Sequence, residues 1–105
     1  MGLKRVDVSK DKAGKFVCDP KKIRVSHNGG DGVEWVCNDA PIKRIAWGSK
    51  GNPFPGPPVG SGGRWAASGP PKKPSGPDPE RYHYDLTVNV DGKDETADPD
   101  VEVVP

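Results

Sequence analysis

Apolar residues are scarce in this chain. They make up 31% of 105 residues, and no run approaches the roughly 18 consecutive apolar residues a membrane-crossing helix needs. No membrane partner is therefore expected. The amino terminus, Met-Gly-Leu-Lys-Arg, lacks the apolar core of a secretory signal, which leaves a cytoplasmic protein and a mature exported domain as alternative readings. No stretch has a helical period. No basic cluster is interleaved with aromatics as a stacking platform would need, which argues against a nucleic-acid partner.

Metal ligands are also in short supply, with two histidines, two cysteines and Met1 as the lone methionine. Cys18 and Cys37 each fall on an expected strand. If those strands are neighbours the two could form a disulfide; the alternative is two buried thiols, the better default for a chain without a signal. A metal site built from Cys18, Cys37, His27 and His83 matches no zinc spacing, so His27 reads as a strand-end residue and His83 as a solvated one. No Gly-x-Ser-x-Gly elbow or other nucleophile motif frames the serines. Gly60-Ser61-Gly62-Gly63 lacks the Lys-Ser/Thr and following helix of a phosphate loop. Neither a catalytic residue nor a cofactor is expected.

Glycine and proline, by contrast, are abundant. They fill 27 positions, 17 of them between Gly48 and Pro79, so the flanks have ordinary composition. A chain this long makes one domain, 1–105, with a modest core. Charge is uneven: Met1 to Lys73 holds 14 Lys/Arg against 6 Asp/Glu, whereas Pro74 to Pro105 holds 2 against 9. Early and late strands that become neighbours would mix those charges on one surface.

Period-2 alternation runs through both flanks. Val6 and Val8 alternate with Arg5 and Asp7 in a first strand, read as an edge. Phe16 and Cys18 share a face of a second, ended by Asp19-Pro20, and Ile23 and Val25 mark a third. Asn28 to Gly32 reverses the chain. Val33, Trp35 and Cys37 then line one face of the best candidate for a central strand, with Val36 the exception, and Lys43, Ile45 and Trp47 mark another. Tyr82, Tyr84, Leu86, Val88 and Val90 give the cleanest alternation, followed by the tight-turn pair Asp91-Gly92 and a last strand carrying Val101 and Val103. The fold class is all-β: about seven short, mainly antiparallel strands in two sheets, with Trp35, Ile45, Leu86 and Val88 in the core.

Phe16-x-x-Asp-Pro-x-x-Ile-x-Val, the run Gly-Asp-Gly-Val-x-Trp-Val-x-Asn-Asp and a later Tyr-x-Tyr strand resemble the cupredoxin family. The resemblance covers Phe16 to Trp47 and Tyr82 to Val104, and implies a Greek-key β-sandwich with a copper site between loops at one end. The family's ligands do not carry over. Ala40 to Arg44 has no His after the Asn-Asp turn, Asp85 to Pro99 has no Cys, His or Met, and both cysteines precede the turn. The implied protein is a copper-less scaffold serving as a non-enzymatic binding or interaction module. The alternative is a redox or electron-transfer protein with an atypical site.

The segment 48–79 is a long connection of a kind that is functional or disordered in compact domains, within which Arg64 to Ala67 is a candidate for one added short strand. Phe54 and Trp65 either pin it over the open end of a sandwich or anchor a protein or peptide partner. In the second case Lys43 and Arg44, near the same end in cupredoxin topology, would set the partner's orientation.

Overall fold

Alternating apolar residues need a partner layer to cover them, and the computed structural model, which describes residues 2–105, supplies it by facing two mixed sheets. The described residues form ten strands and no helix, in one globule. They are β1 (Gly2–Lys10), β2 (Phe16–Asp19), β3 (Lys22–Ser26), β4 (Asp31–Cys37), β5 (Ile42–Trp47), β6 (Val59–Ser61), β7 (Arg64–Ala67), β8 (Glu80–Val90), β9 (Lys93–Ala97) and β10 (Asp100–Val104). One sheet has the order β2-β1-β4-β7-β6. The other has β3-β10-β8-β5, with β9 also paired to β8.

The count exceeds the expected seven for local reasons. β6 and β7 arise within the Pro/Gly segment. β9, Lys-Asp-Glu-Thr-Ala, has no apolar alternation, and extends only because the Asp91-Gly92 turn lays it along β8. That turn has φ of 51° at Asp91 and 84° at Gly92, the two left-handed residues of a type I′ hairpin. Its register carries from Val90↔Lys93 through His83↔Asp100 to Glu80↔Val103, so Asp98-Pro99 separates β9 from β10 without shifting the pairing, and Pro99 O still accepts from Tyr84 N at 3.1 Å.

Two further expectations are corrected. β1 is not an edge: it lies between β2 and β4 and pairs with β4 in parallel, as β3 does with β10. Ile45 is only half-buried, because β5 pairs with β8 along one side and shifts register by one residue at Lys43. Trp35, Leu86 and Val88 are in the core as expected, each at most 1% exposed.

Register also decides the state of the cysteines. Cys18 and Cys37 both pair with Val8, from opposite sides of β1. Two strand spacings hold their Cα atoms about 9–10 Å apart, beyond the reach of a disulfide. Both are free, buried thiols.

Opposite charges do mix, on the outer face of the second sheet. Glu102 of β10 accepts from Arg24 Nε at 2.8 Å and Nη2 at 2.5 Å, and its other oxygen lies 3.2 Å from Lys22 Nζ. At 8% exposure its side chain is better shielded than those of its partners. The Arg24 hydrogen bonds, then that of Lys22, hold the carboxyl below its usual 4.5. Because the folded value lies below the unfolded one, this stabilisation is present above about pH 4.5 and is lost as pH falls through the folded value. His83 has the opposite sign. Its Nδ1 hydrogen bond to Asp100, at 2.9 Å, raises it above its usual 6.5, so its smaller, half-exposed contribution is full below that value and fades as pH rises. We expect Glu102→Gln to flatten the acid limb of the melting temperature against pH. An unchanged limb would assign acid sensitivity elsewhere.

Where backbones meet closely, glycine is required. β6 and β7 are joined by the two-residue turn Gly62-Gly63, in which Gly62 has φ of 59°. Gly63 O accepts from Cys37 N at 2.7 Å, and a methyl at Gly63 would overlap the Cys37 carbonyl oxygen. Gly63→Ala is expected to cost about 2–3 kcal/mol in chemical denaturation. Gly76→Ala, where a Cβ meets nothing within 4 Å, should stay within about 0.5 kcal/mol of wild type.

Candidate functional site

The expected interface residues are not brought together. Lys43 is the exposed bulge residue of β5 and pairs with Asp94 through Nζ at 2.9 Å, and the exposed Arg44 lies opposite Thr87. Phe54 is 3% exposed and packs its ring 6.0 Å from that of Trp47, whose backbone partner is Tyr84. From Thr87 to Tyr84 is about 10 Å along the strand. Trp65 is half-buried on β7 opposite Trp35, and its indole Nε1 is buried without an acceptor.

Segment 48–79 is likewise held down. Pro53, Phe54, Ala67, Pro71 and Pro74 are buried. Asn52 Oδ1 accepts from Phe54 N and its Nδ2 donates to Gly56 O, each at 2.8 Å, while Lys72 N donates to Pro53 O at 2.6 Å. His27 Nδ1 lies 2.6 Å from Pro71 O. The segment is pinned to the globule at Pro53, Phe54, Pro71 and Pro74, while Pro55, Pro57, Pro70, Pro77 and Pro79 are exposed.

On the opposite side the sandwich is left open. Chain order puts β2 at the edge of the first sheet and β9 at an edge of the second that is free among the described residues, where β3 pairs only with β10. Between them is a cleft of about 370 Å³. Its floor is apolar and buried: Phe16, Cys18, Ala97 and Pro99. Its rim carries Lys15 and Lys21, Asp11 and Asp98, with Val17 exposed beside them.

The rim charges are not equivalent. Asp11 Oδ1 accepts from Ala13 N and Lys15 N, both at 2.9 Å, which fixes the turn between β1 and β2. Among the described residues, Lys15, Lys21 and Asp98 enter no ion pair or side-chain hydrogen bond. Burial, then Cys37 and Asp98, push the Cys18 thiol up to about 12, so at neutral pH it stays protonated and is a poor nucleophile or metal ligand.

The other histidine, His83, sits on an exposed face between Asp100 at 2.9 Å and Asp85 at 3.6 Å. The described residues hold no group of three or more His, Cys, Asp or Glu arranged for a metal ion. Sequence reading missed the cleft because its walls lie about 80 residues apart. The local signal was the exposed valine of β2 next to a charged turn, which marks an uncovered edge only once β9 is placed. Comparison with protein-family models, curated proteins and solved structures gave no match.

Proposed function

We propose that this chain is a non-enzymatic binding module on a copper-less, cupredoxin-like Greek-key scaffold, with its ligand site in the cleft between β2 and β9. Two facing mixed sheets with an aromatic core support the scaffold reading. The observation that carries the site is the pairing of a buried apolar floor with rim groups Lys15, Lys21 and Asp98 that have no side-chain partner among the described residues, the composition of ligand pockets in general. A non-enzymatic role is supported by the protonated Cys18 thiol and by histidines tied to Pro71 O and Asp100 rather than to a nucleophile.

The site moves away from the 48–79 segment because Phe54, one of its two expected anchors, is a core residue. Titration of the isotope-labelled protein with a set of small apolar and charged fragments tests the reading. Amide shifts should move at Lys15 to Lys21 and Glu95 to Asp98. Shifts confined to segment 48–79, or none with any fragment, would remove the cleft as the binding site.

A further inference from the structure

We infer that the ligand of this cleft is a short zwitterionic peptide of dipeptide size with an apolar side chain. Its carboxylate is taken by Lys15 and Lys21 and its ammonium by Asp98. The inference rests on the cleft being the binding site, and three observations narrow the class.

The first is size. About 370 Å³ is near the lower end of the roughly 300–1,000 Å³ found for ligand pockets, enough for two residues and too little for a folded partner's side chains in number. The apolar floor of Phe16 and Ala97 calls for an apolar side chain, whose burial drives entry.

The second is charge. The rim carries two cations and two carboxylates; Asp11 Oδ1 is held in the turn by two backbone N–H groups, which leaves Lys15, Lys21 and Asp98 as the rim charges with no side-chain hydrogen bond or ion pair among the described residues. A simple anion would satisfy the lysines but lie against Asp98, and a simple cation would meet two lysines. A molecule with one group of each sign pairs with both sides and brings no net charge into the cleft.

The third is backbone. Among the described residues β9 hydrogen-bonds only to β8, and β2 only to β1, so donors and acceptors along both edges of the cleft are open. A peptide amide pairs with such an edge as an added strand does, which favours a dipeptide over a free amino acid.

The probe is Leu-Leu, compared by calorimetry and amide-shift titration with its N-acetyl form, its C-terminal amide and the doubly capped form. Capping either end should weaken binding about tenfold or more, and capping both should abolish it. Lys15→Ala combined with Lys21→Ala should weaken Leu-Leu by a similar factor while leaving the C-terminal amide unaffected. Asp98→Asn should weaken Leu-Leu and leave the N-acetyl form unaffected. All three side chains are exposed, so an unchanged melting temperature will show that the variants are folded. Equal binding of the doubly capped peptide overturns the inference, as do Leu-Leu shifts outside the cleft. If apolar fragments move cleft amides but Leu-Leu does not, the ligand class is wrong and the binding-module reading stands. If no fragment and no peptide does so, both fall.

Discussion

Trp35→Ala is expected to cost about 3–5 kcal/mol of unfolding free energy, a large share of the roughly 5–15 kcal/mol that holds a typical domain together. Trp35 is fully buried at the centre of β4, and its indole Nε1 donates to Tyr84 Oη at 2.7 Å. The two rings meet edge to face, with centroids 5.6 Å apart and planes at 70°. Tyr84 comes from the opposite sheet, so this one contact links both layers by packing and by a hydrogen bond. Burial raises the Tyr84 phenol well above its usual 10, so at neutral pH it is uncharged and its oxygen accepts from the indole. Tyr84→Phe keeps the ring and removes the acceptor. It should cost about 1–3 kcal/mol, because a buried indole N–H is then left without a partner. Urea denaturation of both variants checks the pair, and a Tyr84→Phe protein as stable as wild type would show the hydrogen bond to be energetically neutral.

Phe54→Ala is expected to destabilise by about 3 kcal/mol or more, although it lies in the middle of a Pro/Gly-rich connection. The Phe54 ring extends the aromatic series through Trp47 to Tyr84, with Trp47 and Tyr84 centroids 5.2 Å apart. Removing it opens a cavity over Trp47 and loosens the part of the segment before β6, since β7 stays paired with β4. A thermal melt together with limited proteolysis reads both effects: the midpoint falls and the segment becomes cleavable. If the midpoint holds and ligand capture is lost instead, Phe54 is a surface anchor after all, and the interface returns to this segment. Trp65→Ala belongs to the same comparison. Trp65 is half-buried against the core, so a loss of stability is expected there too, smaller than at Phe54.

Much of the candidate site was beyond the reach of local pattern. Phe16 and Cys18 were legible as one buried face, but the role of Lys15 and Lys21 beside it was not. Nothing in Lys93 to Ala97 announces a strand, since its residues are charged or small and its extension is imposed by β8. The cleft exists only because this imposed strand stands opposite β2. In the 48–79 segment the strand expected over Arg64 to Ala67 is present as β7, whereas the two-residue hairpin signal Gly62-Gly63, which pairs it with β6, was not read.

The sequence by itself determined the elements that depend on neighbours along the chain. These are the alternating faces of β1, β4 and β8 and the tight turn at Asp91-Gly92. Each follows from a two-residue side-chain period or from the steric freedom of particular residues, and needs no knowledge of distant partners. Tertiary structure alone decided that β1 lies between β2 and β4 in parallel with β4, that Val8 separates the cysteines, that Phe54 faces inward, and that β2 and β9 leave a cleft. A strand edge offers the same backbone groups whatever its sequence. Which edges meet, and which stay open, is therefore set by how the apolar faces of the whole chain can be buried at once.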